Sequence, residues 1–143
     1  HLHISDNVNT DNINIPSMML QPFLENSIWH GILPTNKEGK VEVSIFQNGD
    51  TLSIQIIDNG IGYKVSLNNK KEQIKTHNSQ GMSITKNRIS LYQRMTGNSY
   101  DIIGPTQLED ENGTVLGTRV EIRIPNESNK SKTSIKSKRL ELS

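Results

Sequence analysis

The sequence predicts an α/β (α+β) two-layer sandwich, a mixed and mostly antiparallel sheet with helices on one face. Three observations predict it. Val41, Val43 and Ile45 alternate with polar residues, Asn48-Gly49 intervenes, and Leu52, Ile54 and Ile56 resume the alternation. That is the pattern of an antiparallel hairpin with one buried face, Asn-Gly supporting positive φ at both turn positions. Val120, Ile122 and Ile124 alternate with Arg119, Glu121 and Arg123 as a further strand. Leu20, Leu24 and Ile28 recur every fourth residue, an apolar stripe on a helix. With 143 residues and 31% hydrophobic content, the chain suits one domain whose core is a single sheet face covered by helices.

The remaining elements follow in order. Leu2 and Ile4 flank His3 in a short alternation that reads as an edge strand, and a polar stretch follows from Asp6 to Asn14. Pro16 precedes the first helix, which starts close to Gln21 because Pro22 is tolerated only in a first turn. Gly31 and Pro34 are read as its end. Ile57 breaks the hairpin's alternation and leads into Asp58. Residues 63–80 place Lys64, Lys70, Lys71 and Lys75 among polar neighbours with few apolar anchors, which predicts a long mobile loop. Helical spacing returns from Gly81, with Ile84, Leu91 and Met95 on one side and Gly97 as the stop. Tyr100, Ile102 and Ile103 suggest a strand, followed by an acidic turn from Glu109 to Gly113. Pro125 stops the last strand. The domain is therefore set at 1–125, and the Ser/Lys-rich residues 126–143 read as a disordered tail or linker.

Composition excludes several functions. A formal charge of +1 makes no overall case for nucleic acid or a membrane surface. The absence of cysteine removes disulfides, thiolate zinc sites and thiol nucleophiles together. No apolar run approaches the ~20 residues of a membrane span, and no signal peptide is visible, so a soluble piece is expected. There is no P-loop, no Gly-rich dinucleotide turn and no protein-kinase H-R-D or D-F-G set. His1, His3, His30 and His77 lack metal-motif spacing.

Two segments carry the chemistry. Asp58-Asn59-Gly60-Ile61-Gly62 puts a carboxylate at the end of an apolar strand, followed by glycines that free the backbone. Such a carboxylate can accept a hydrogen bond from an exocyclic amine like adenine N6, and it would reject guanine, whose carbonyl presents a second acceptor. Asp-Asn-Gly is equally the composition of a plain turn. Some thirty residues earlier, Glu25, Asn26 and His30 lie on the first helix. The Asn26 amide oxygen is a legitimate ligand for Mg²⁺, Glu25 can act as a base or hold a metal-bound water, and His30 can face phosphates one turn on. The same three residues also suit a solvated helix face. Gly81 opens a helix whose N-terminal amides can bind phosphate, and the Thr118 hydroxyl can join a hydrogen-bond set around a base, although a strand threonine needs no such role.

Taken as a set, these segments resemble the ATP-binding catalytic domain of sensor histidine kinases, in the superfamily with gyrase B, Hsp90 and MutL. Leu20 to Gly31 resembles the N box, Asp58 to Gly62 the first glycine box, Gly81 onward the second, and Gly117-Thr118 the start of the closing strand. Pro16-x-Met18-x-Leu20-Gln21-Pro22-Phe23-x-Glu25-Asn26-x-Ile28-x-His30-Gly31 and Gly81-Met82-Ser83-Ile84-Thr85 are similar to the LytS-type subfamily. The resemblance implies a Bergerat-type fold over residues 1–125, ATP and Mg²⁺ as ligands, and catalytic roles for Glu25, Asn26 and His30. It implies that Asn26 is the metal ligand and that Asn26, Asp58, Gly60, Gly62, Gly81, Met82 and Thr118 bind the nucleotide, with residues 63–80 as the ATP lid. Ser83 departs from the second glycine common in relatives. The family's phosphoacceptor histidine belongs to a dimerising helical region that nothing before Asp11 resembles. By the resemblance, the parent is a homodimer anchored in the bacterial inner membrane with this domain in the cytoplasm, relaying phosphate to a response regulator. Two other uses remain open: an ATPase or conformational switch of the same superfamily, and a degenerate partner-binding module.

Overall fold

The computed structural model describes residues 1–13, 15, 18–66, 68, 87, 89–91, 93, 94, 97 and 99–125. Among these, five strands form one sheet in the order β1-β2-β3-β5-β4. β1 (Leu2–Ile4) runs parallel to β2 (Val41–Asn48). β2 is antiparallel to β3 (Thr51–Asp58), and β3 to β5 (Val115–Pro125). β5 pairs in turn with β4 (Asp101–Glu109), again antiparallel. The sheet is mixed and mostly antiparallel, as the alternations required.

Register explains the core. Ile54 lies between Ile45 and Ile122, and Ile56 between Val43 and Val120. Because side chains alternate, these residues share one face. Ile54 is 0% and Ile122 1% exposed, and Met19, Phe23, Val8 and Ile89 are buried with them. Fully burying one such side chain stabilises the fold by about 1.5–3 kcal/mol. The opposite face carries Ser53, Gln55, Arg119, Glu121 and Arg123, with Arg123 Nε donating to Glu121 Oε1 at 2.7 Å.

The first helix differs from its expected course. α1 (Gln21–Asn26) is regular, with Pro22 in its first turn as predicted. It then widens into a π-helical segment, Ser27–Ile32, marked by the Leu33 N–H donating to the Ile28 carbonyl at 2.9 Å. Gly31 therefore does not stop the helix. The wider turn also rotates later residues away from the i+4 stripe, so Phe23 is buried while Ile28 is 45% and Trp29 64% exposed.

Smaller corrections concern turns and phases. The hairpin turns at Gly49-Asp50, since Asn48 pairs with Thr51; Gly49 has φ 59° and no described non-glycine residue has positive φ. Glycine at the first central position is the II′ pattern, not the I′ pattern that Asn-Gly suggested. In the second helix, Ile89 faces the core and Leu91 is 54% exposed, with Gly97 (φ 70°) closing it through its N–H to the Gln93 carbonyl. β4 is longer than expected because its irregularity between Ile103 and Thr106 absorbs Gly104-Pro105, tolerable on an edge strand. Residues 63–66 form a helical turn where loop was expected. Ile84, Met95, the rest of the 63–80 segment beyond residues 63–66 and 68, and the tail 126–143 lie outside the described residues.

Candidate functional site

Asp58 is the last residue of β3, paired with Val41 on one side and Thr118 on the other. It is a carboxylate at the interior end of a central strand, 4% exposed. The Gly60 N–H donates to Asp58 Oδ1 at 3.0 Å. Burial pushes the Asp58 pKa above its ordinary 3.8, and the polar groups of Gly60, Ser27 and Thr118 beside it only partly draw it back. Asn59 braces the turn outside: its Oδ1 accepts from the Lys40 N–H at 2.7 Å and its Nδ2 donates to the Glu38 carbonyl at 2.9 Å.

The π segment packs on the ends of β3 and β5. The Ile61 N–H donates to the Gly31 carbonyl at 2.9 Å, and Gly60 lies so close that a Cβ there would overlap the Gly31 backbone. A Cβ on Gly31 would in turn meet Asp58 Oδ1 at 3.0 Å. On the other flank, a Cβ on Gly117 would overlap the Asp58 carbonyl. Glycine at these positions lets helix, loop and strand converge on one carboxylate without side chains between them.

Asn26, half-buried, ends α1 directly before Ser27, and His30 is half-buried one turn on. Glu25 is exposed, and its Oε1 accepts from Gln21 Nε2 at 2.6 Å. Gly62 is buried with φ 86°, and its carbonyl accepts the Ser66 N–H at 3.1 Å, opening the helical turn. β4 holds that turn: Gln107 Oε1 accepts the Lys64 N–H at 3.1 Å, and Glu109 lies 3.4 Å from Lys64 Nζ. The fold thus brings Asp58, Gly60 and Thr118 together, with Asn26 adjoining them through Ser27. Gly81 and Met82 lie outside the described residues.

A family model described as histidine kinase-, DNA gyrase B- and HSP90-like ATPase matches residues 11–128. The chain belongs to this family. That family is one of ATP-binding domains, and the curated relatives the chain is similar to are sensor kinases, two of them named LytS. The chain is 35% identical over 68 residues to the sensor protein LytS of Oceanobacillus iheyensis, covering 45% of this chain and 12% of that one. It is 41% identical over 51 residues to the sensor histidine kinase YpdA of Escherichia coli, covering 36% and 9%. Similarity to the LytS of Staphylococcus epidermidis is 28% over 120 residues, covering 81% and 19%. The chain thus spans under a fifth of the length of these relatives. The fold matches a blue-light activated histidine kinase of Erythrobacter litoralis with a TM-score of 0.50 at 18% identity, over 91% of this chain and 37% of that one.

Sequence reasoning missed three residues that pack around Asp58 and the turn after Gly62. Ser27 is a buried hydroxyl with no periodic signature, Gly31 was read as a helix stop, and Gln107 sits in a strand that Gly104-Pro105 concealed. Only the proximity of Ser27 to Asn26 offered a signal.

Proposed function

We propose that this chain presents Mg·ATP for transfer of the γ-phosphoryl to a histidine on a helical region of a larger sensor kinase, for later passage to a response-regulator aspartate. The observation that supports it most is the Asp58 carboxylate. A carboxylate offers about four acceptor positions, and this one, buried at the end of β3 with the Gly60 N–H on Oδ1, keeps capacity for a further donor such as adenine N6. Gly60 and Thr118 flank the base, Gly62 hinges the lid, and Gly81 and Met82 belong to the phosphate side.

Asn26 holds Mg²⁺ through its amide oxygen. Mg²⁺ takes one or two protein ligands and completes its shell with phosphate oxygens and water, so a single half-buried amide fits it. Bound there, the ion would neutralise phosphate charge. His30 faces the phosphates, and Glu25, once released from Gln21, orients the attacking group. Catalysis is positioning and charge stabilisation. The parent is a membrane-anchored homodimer in which this domain reaches a separate phosphoacceptor region.

Calorimetric titration with Mg·ATP tests the reading. Binding is expected, lost in Asp58→Ala and made independent of Mg²⁺ in Asn26→Ala, with no labelled phosphate incorporated by the chain alone. Steady hydrolysis abolished by Glu25→Ala would instead mark a conformational ATPase, and no binding near millimolar ATP would mark a degenerate module.

A further inference from the structure

Three consecutive N–H groups after β3 go to three different partners. The Asn59 N–H donates to the Lys40 carbonyl at 3.2 Å, the Gly60 N–H to Asp58 Oδ1 at 3.0 Å, and the Ile61 N–H to the Gly31 carbonyl at 2.9 Å. The middle bond is the one that touches the carboxylate, and Gly60 alone cannot hold its direction. A Cβ on Gly60 would overlap the Gly31 backbone, so glycine is required there, and glycine gives the chain its widest conformational freedom. The residue before it supplies the restraint. An asparagine in a turn commonly bonds its own backbone two residues on. Asn59 instead reaches 19 and 21 residues back: its Oδ1 accepts the Lys40 N–H at 2.7 Å, and its Nδ2 donates to the Glu38 carbonyl at 2.9 Å. That stretch is itself seated on the π-helical segment, since a Cβ on Gly39 would overlap the Ile32 side chain. Asn59 is exposed, so these bonds and not burial hold it.

We infer that Asn59 is a positioning residue for the base-reading carboxylate: by clamping residues 38–40 it fixes the Asn59-Gly60 peptide, so that the Gly60 N–H stays on Asp58 Oδ1 and the carboxylate keeps one orientation toward the 6-amino group of the base. The inference rests on the reading of Asp58 as the adenine acceptor. Asn59 itself touches no nucleotide and acts through Gly60. The chain carries its own control for this role. Asn7 makes a clamp of the same kind, Nδ2 donating to the Gln47 carbonyl at 2.8 Å and Oδ1 accepting the Gln47 N–H at 3.4 Å. It does so at the other end of β2 from Val41, the residue that pairs with Asp58. Both clamps brace the sheet, and the one made by Asn59 adjoins the carboxylate.

Titrations of the full 143-residue chain with two nucleotides test this: ATP, and the triphosphate of purine riboside, which keeps the ring and phosphates but lacks the amino group. The parent chain should prefer ATP. Asn59→Ala should weaken ATP binding roughly fivefold, the scale of one net hydrogen bond, while binding of the amino-free analogue changes less than about twofold. The Gly60 amide should lose protection from exchange in the same variant. Asn59→Asp, which keeps an acceptor for the Lys40 N–H, should fall between the two. Asn7→Ala should lower the melting temperature by a similar amount and leave the preference for ATP unchanged. Equal losses for both nucleotides in Asn59→Ala, an undiminished preference there, or the same loss of preference in Asn7→Ala would overturn the inference. A parent chain that binds ATP without preferring it over the analogue would instead overturn the reading of Asp58 on which it rests.

Discussion

The Gly31 carbonyl accepts the Ile61 N–H at 2.9 Å, joining the π-helical segment to the loop that follows Asp58. A helix carbonyl that bonds outside its own helix ties two segments, some thirty residues apart in sequence, into one wall. Substitution at this seam should therefore affect binding and stability in a predictable order.

Gly60→Ala forces a Cβ into the Gly31 backbone, which cannot swing aside. Overpacking of this kind costs about 1–3 kcal/mol, so a lower melting temperature and loss of ATP binding are both expected. In Gly31→Ala the nearest atoms the new Cβ meets are those of the Asp58 side chain, from 3.0 Å. This variant should weaken ATP binding with a smaller change in melting temperature, and comparing the two variants by calorimetry and thermal unfolding checks the order.

Acidification should separate binding from stability. Burial raises the Asp58 pKa, so the ionised carboxylate is less favoured in the folded chain than in the unfolded one. Above that raised pKa Asp58 therefore subtracts stability, and protonation restores it as pH falls from the raised value toward the ordinary 3.8. With Asp58 as the proposed acceptor, ATP binding should need the ionised carboxylate and decline over the same window. Thermal unfolding between about pH 7 and pH 4 should show the stabilisation by Mg·ATP shrinking, while Asp58→Asn shows no such titration.

Ile54→Ala removes a side chain that is 0% exposed at the centre of the sheet. A loss of about 2–5 kcal/mol is expected, measured by denaturant unfolding.

Gln107→Ala removes the acceptor for the Lys64 N–H and a neighbour of Glu109. Amide exchange at Lys64 should accelerate while Ile54 and Ile56 stay protected, since the lost bonds lie at the surface. Exchange followed by NMR decides it.

The hairpin and closing strand were legible because one buried face imposes strict alternation, visible in Val41 to Ile56 and Val120 to Ile124. The Asp58 position was legible because it interrupts that alternation just before two glycines. Ile28 and Leu91 were misjudged for a different reason: stripes at i+4 assume an unbroken α-helix and a known phase, and a π turn alters both without any marker residue. Gly31 shows the same limit, since a glycine needed for close approach is indistinguishable in sequence from one that ends a helix. The hairpin turn slipped by one residue because Asn48-Gly49 and Gly49-Asp50 are both competent turns, and the cross-strand pairing of Gln47 with Leu52 settles between them.

β3 is paired along its whole length on both sides, so Asp58 is anchored where the sheet is least deformable, whereas the turn after Gly62 is held to an edge strand, among the described residues, through the side chains of Gln107 and Glu109. On the proposed reading, choice of nucleotide and turnover of nucleotide then have mechanically separate supports. By that reading, changes accumulating along the edge would retune how fast the chemistry runs while leaving the choice of fuel untouched.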